Sequence, residues 1–145
     1  MTGVAIGAAL DGVRSITTHQ RLDFFLLAMD QLVNSAAKFH YMFGGEHSIP
    51  IVIRLIIGRG WGQGPTHSQS LQSWFAHIPG LKVVFPATPY DAKGLMASAL
   101  SGNDPVIFFE SQRVYGATEQ FREEVPQEYY LSLIHISEPT RRYAI

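Results

Sequence analysis

Apolar runs alternate with polar and glycine-rich breaks along most of the chain. Thr2 to Leu10 is small and apolar and predicts a short buried helix, in which Gly3 and Gly7 permit close packing; Gly12 ends it. Arg14 to Thr18 predicts a short strand. Asp23 to Phe43 predicts a long helix, because Phe24, Leu27, Ala28, Leu32, Ala36 and Phe39 recur at helical spacing and form one buried stripe. Gly44-Gly45 stops it. Pro50 to Ile57 (PIVIRLII) is β-branched and almost continuously apolar, the pattern of a central parallel strand covered on both faces. Gly58 to Gly64 (GRGWGQG) is a loop, and Ser68 to His77 predicts a helix. Leu81 to Phe85 and Pro105 to Phe109 predict two further strands. Between them, Pro89 to Ser101 predicts a helix that starts on proline and carries Asp91 in its first turn.

Strands alternating with helices predict an α/β fold: a parallel sheet with helices on both faces and right-handed crossovers. The 145 residues suffice for one domain, and 46% hydrophobic content supports a full core. Eleven basic residues against twelve acidic ones leave no electrostatic footprint for nucleic acid or an anionic membrane. No apolar run reaches the length of a membrane span, and MTGVAIGAALDGVR lacks the basic start of a secretory signal. The absence of cysteine excludes disulfides and thiolate metal sites.

Candidate chemistry concentrates after the strands. His67 follows the glycine-rich loop, where an imidazole titrating near neutrality suits proton transfer; a helix-capping or surface histidine is the alternative. Gly58, Gly60, Gly62 and Gly64 admit a phosphate cradle, but their spacing is not that of a P-loop and no Lys-Ser/Thr follows. A flexible loop is the plainer reading. His19, Gln20 and Arg21 follow a strand, where open α/β sheets bind ligands; a solvent-facing turn is the alternative. His40, His47 and His77 fit no metal spacing, and Asp30 and Asn34, one helical turn apart, suit bridging more than catalysis.

Five blocks, in order, carry a resemblance: GVAIGAALDGVR (3–14), FFLLAMDQLVNSAAKFHYMFGG (24–45), PIVIRLIIGRGWGQGPTHSQS (50–70), GLKVVFPATPYDAKGLMASAL (80–100) and DPVIFFE (104–110). As a set, residues 1–130 resemble the transketolase-like pyrimidine-binding domain in the beta subunit of thiamine diphosphate-dependent 2-oxo acid dehydrogenases, closest to the pyruvate and acetoin types. The resemblance implies that His67 faces the cofactor and assists acyl transfer to lipoyl. It implies that His19 takes the place of an aromatic ring stacked on the aminopyrimidine, with Gln20 beside it. It implies that carbonyls of the turn carrying Ala99, Gly102 and Asp104 can hold a monovalent cation, commonly potassium. The glycine-rich loop would frame an active-site funnel, with Trp61 against a partner chain.

The family's cofactor-activating glutamate lies just before the first helix. Met1 already stands at that helix, so the domain is expected to be truncated there and inactive by itself. No GDG anchor for magnesium diphosphate occurs, which assigns magnesium mainly to the alpha subunit. The implied partners are that alpha subunit, a second beta subunit and a lipoyl acyltransferase core. The implied compartment is the bacterial cytoplasm or the mitochondrial matrix. Residues 131–141 (LSLIHISEPTR) translate a transposase end joined to a sequencing-library adapter, so 131–145 are expected to be a non-native tail; a natural segment of an aberrant relative is the other reading. Two further readings stand beside the enzyme component. One is a non-catalytic module that only binds an alpha-like subunit. The other is an unrelated nucleotide binder, against which the lack of G-x-G-x-x-G counts.

Overall fold

The computed structural model describes residues 1–58 and 63–115. Trp61 and two of the loop glycines, Gly60 and Gly62, lie outside the described residues, as do the expected domain end at 130 and the expected tail at 131–145. The elements run α1 (Thr2–Leu10), β1 (Ser15–His19), α2 (Leu22–Phe25), α3 (Phe39–Met42), β2 (Ile51–Ile57), α4 (Gln72–Ala76), β3 (Lys82–Val84), α5 (Pro89–Ser101), β4 (Val106–Ser111) and α6 (Gln112–Tyr115). The strands form a four-stranded sheet in the order β1-β2-β4-β3. Every pairing is parallel.

The sheet is covered on both faces, as its apolar strands require. On one face Ile51, Ile53, Leu55 and Ile57 of β2 join Ile107 and Phe109 of β4. Against them pack Ile6 of α1, Leu22 and Phe25 of α2, Leu32 and Phe75. On the other face Val52, Val84, Val106 and Phe108 pack against Leu95 and Ala99 of α5. That helix begins as the sequence implies. Thr88 Oγ1 accepts from the Asp91 amide at 3.0 Å, and Pro89 takes the first turn.

Two expected helices differ. The segment 23–43 is not one α-helix. A 3-10 turn (Leu26–Ala28) and a π-helical turn (Gln31–Ala36) separate α2 from α3. The Ala37 amide reaches back five residues to the Leu32 carbonyl at 2.9 Å. The buried stripe is accordingly rephased. Leu22, Phe25, Leu32 and Ala36 are buried, whereas Phe24 and Leu27 are 52% and 94% exposed. The second case is Ser68 to His77, where helix forms only over Gln72–Ala76. Serines compete for backbone hydrogen bonds in non-helical geometry, and Gln69 is drawn away to Asp23. The expected packing role of the α1 glycines holds for Gly3 alone. A Cβ there would meet Gln31 Oε1 at 2.9 Å, while Gly7 faces open space. Asn34 donates to Asp30 at 2.7 Å, a bridge within one turn. Among the described residues no helix is long and apolar enough to cross a membrane.

Gly80 enforces the approach of the β3 connection to the π-helical turn. It sits at φ +96°, and a Cβ would lie 2.0 Å from the Ala37 carbonyl oxygen. Lys38 donates to the Pro79 carbonyl at 2.9 Å beside it. Because the obstructing atom is backbone, Gly80→Ala should cost about 2–4 kcal/mol in a urea melt. A cost below about 0.5 kcal/mol would show that the two connections do not need this contact.

Candidate active site

Parallel pairing places the carboxyl ends of β1, β2 and β4 at one edge of the sheet. Ligands of open α/β sheets bind beyond such an edge. His19 is the last residue of β1, so the strand runs one residue further than the sequence pattern indicated. Its ring stands edge-on to Phe25 at 4.8 Å. Burial, and then the nearby Met1 ammonium, hold the His19 imidazole below its usual value. Gln20 follows, exposed.

His67 closes a 3-10 turn, Pro65–His67. Its ring meets Phe24 edge-on at 5.1 Å. Two adjacent side chains of α2 therefore carry the two histidines: Phe25 from the core side and Phe24 from the solvent side. The outward phase of Phe24, unexpected from the sequence, creates this second contact. Nδ1 of His67 lies 3.1 Å from Thr66 Oγ1. Among the described residues Nε2 has no hydrogen-bond partner. If the hydroxyl accepts from Nδ1–H, Nε2 is a base; if it donates, Nε2–H is a donor. In the first state Nε2 can take up a proton, and in the second it can donate a hydrogen bond.

Arg21, which with His19 and Gln20 follows β1, belongs to this edge as well. It is only 6% exposed. Its Nη1 donates to the Gly58 carbonyl at 3.2 Å. Its Nη2 donates to Gln63 Oε1 at 2.7 Å and to Gln112 Oε1 at 3.2 Å. The available signal was a charged residue at the exact junction of a strand and an apolar LDFF segment. Asp23, on the next turn, accepts from Gln69 Nε2 at 2.7 Å.

The model of a family described as transketolase, pyrimidine binding domain matches residues 1–118. The chain belongs to this family. It is 50% identical over 128 residues to the acetoin:2,6-dichlorophenolindophenol oxidoreductase subunit beta of Cupriavidus necator, a match covering 88% of this chain and 37% of that protein. It is 43% identical over 141 residues to the pyruvate dehydrogenase E1 component subunit beta of Porphyra purpurea, covering 97% and 41%. It is 44% identical over 131 residues to the 2-oxoisovalerate dehydrogenase subunit beta of Bacillus subtilis, covering 90% and 39%. The chain thus spans about two fifths of the length of these relatives.

In this pyrimidine-binding domain the other expected contacts sit at the opposite end of the sheet. Ala99 is buried in α5, Gly102 follows that helix, and Asp104 precedes β4. None of them approaches His67 or His19. The turn is already held by the chain's own cations. Arg14 Nη1 donates to the Leu100 carbonyl at 3.0 Å and to the Gly102 carbonyl, and Nη2 donates to Asn103 Oδ1 at 2.7 Å. Lys82 pairs with Asp104 at 2.7 Å. A potassium ion on the Gly102 carbonyl would share that oxygen with the guanidinium. His40 and His47 pair locally, Nδ1 of the first lying 2.9 Å from the carbonyl of the second. Among the described residues no cluster of histidine and carboxylate groups could hold a metal.

The carboxyl edge carries one further charged group. Arg54 of β2 donates to Glu110 of β4 from Nε at 2.5 Å and from Nη2 at 2.9 Å. The Tyr115 hydroxyl donates to the same carboxylate. Burial, and then this bond to Glu110, push the Tyr115 phenol up to about 12. The folded state holds the phenolic proton more tightly than the unfolded chain, so the stabilisation is present below about pH 10 and is lost as pH rises through about 12. An ultraviolet titration of tyrosinate should therefore show a late phase near pH 12 that Tyr115→Phe removes. A variant titration identical to the parent's would dissociate Tyr115 from Glu110.

Proposed function

We propose that the chain supplies the pyrimidine-facing half of a thiamine diphosphate site in a 2-oxo acid dehydrogenase beta subunit of the pyruvate or acetoin type. The observation that supports this most directly is the seating of His67 against Phe24 at the carboxyl edge of a sheet whose family match runs from residue 1 to 118. The complete enzyme would decarboxylate a 2-oxo acid or cleave acetoin, then pass the acyl unit to a lipoyl group on a partner. It would work in the bacterial cytoplasm or the mitochondrial matrix.

The donor set fits the cofactor in part. Gln20, next to His19 in the chain, presents an exposed amide, and Phe25 backs the His19 ring, a planar and hydrogen-bonding surface suited to an aminopyrimidine. A carboxylate for the pyrimidine nitrogen is not offered by Asp23 or Glu110. The first is engaged by Gln69 and the second by Arg54 and Tyr115. The family resemblance implies that this carboxylate comes from outside the described residues. When bound, thiamine diphosphate supplies the carbanion chemistry. His67 orients the acyl group and moves a proton at Nε2 during its transfer. Phe24 supports the ring, and Thr66 holds Nδ1. Magnesium is assigned to the alpha subunit.

A partner-only role is the second reading. Val4 is 77% exposed, Leu27 94% and Trp74 54%, a distribution that suits burial against another chain. The two readings part on one variant. In the complete beta subunit assembled with its alpha partner, His67→Ala should lower transfer of the acyl group to lipoyl by about 100-fold or more while assembly persists. Full turnover in that variant would remove His67 from the chemistry and leave the partner-only reading.

A further inference from the structure

We infer that Arg21 is a positioning residue, one that holds the Gln63–Gln69 segment, and with it His67, against the β1–α2 corner. This rests on the proposed role of His67 and extends it to a residue that touches no reacting group. Three contacts run in parallel between the corner and the segment. Arg21 Nη2 donates to Gln63 Oε1 at 2.7 Å. Phe24 meets His67 at 5.1 Å. Asp23 accepts from Gln69 at 2.7 Å. The four residues Arg21 to Phe24 thus grip the segment at its start, its middle and its end.

The start is the critical point. Gln63 and Gly64 are exposed, and Gly64 turns the chain at φ +79° before Pro65. The Gln63 side chain is fixed only as firmly as its partner. That partner is fixed very firmly: the same guanidinium also donates to the Gly58 carbonyl, at the exit of β2, and to Gln112, at the exit of β4. A planar fork with five donors in fixed directions can serve three acceptors at once. A lysine ammonium on a flexible stem keeps the charge and loses the fork. Arg21 therefore transmits the position of the sheet's carboxyl edge to the turn that carries His67.

Amide hydrogen exchange reads this without any catalytic activity. Arg21→Lys should raise exchange across residues 63–69 about tenfold, with the strands Ile51–Ile57 and Val106–Ser111 still protected. Gln63→Ala removes only the acceptor and should produce the same local rise, which keeps the test decisive if Arg21 variants fail to fold. Unchanged exchange across 63–69 in either folded variant overturns the inference. In the assembled enzyme Arg21→Lys should lower kcat about tenfold and leave KM within about twofold, because misplacement of a catalytic group acts on the chemical step. Full turnover of Arg21→Lys alongside an inactive His67→Ala also overturns it. Raised exchange together with full turnover in both variants would instead overturn the role of His67 and leave the mechanical link intact.

Discussion

The parallel pairing of β2 with β1 on one side and β4 on the other is the constraint on which the candidate site depends. It brings His19, Gly58 and Gln112 to one edge although they lie far apart in the chain. It can do so because β2 is apolar on both faces and can be buried only in the middle of a covered sheet. Arg21 then converts this alignment into a rigid corner. A guanidinium buried at the junction of three strand ends is costly to desolvate. Its hydrogen bonds to Gly58, Gln63 and Gln112 offset that cost only while the three ends keep their relative positions.

On that corner, α2 carries two neighbouring aromatic rings that face opposite ways. Phe25 enters the core and supports His19, while Phe24 remains half-exposed and supports His67. The edge consequently groups His19 with Gln20 and His67 with Thr66. Among the described residues its carboxylates Asp23 and Glu110 are each engaged by a neighbour.

Much of this was legible in the sequence, for identifiable reasons. The strands over PIVIRLII and PVIFF follow from β-branched and aromatic runs that leave little alternative. Asp91 and Pro89 announce the start of α5. The helix stripe over 23–43 misled because a simple 3.6-residue period cannot anticipate a π-helical turn, which inserts one residue and rephases what precedes it. His67, His19 and Gln20 stood out as candidates because they follow strands or loops. Arg21 stood in the same run, but its partners Gly58, Gln63 and Gln112 become its neighbours only in three dimensions. The Ala99–Asp104 turn shows the same limit. The family resemblance implied an ion there, and the fold brings Arg14 to the same turn from 86 to 89 residues away.

The central claim is that the carboxyl edge of this sheet is half of a shared cofactor site. Titration calorimetry with thiamine diphosphate and magnesium tests it most directly. The chain alone should show no tight binding, and binding in the micromolar range or tighter should appear only when a complete beta subunit carrying these residues is assembled with its alpha partner. Micromolar binding by the chain alone would contradict the shared site.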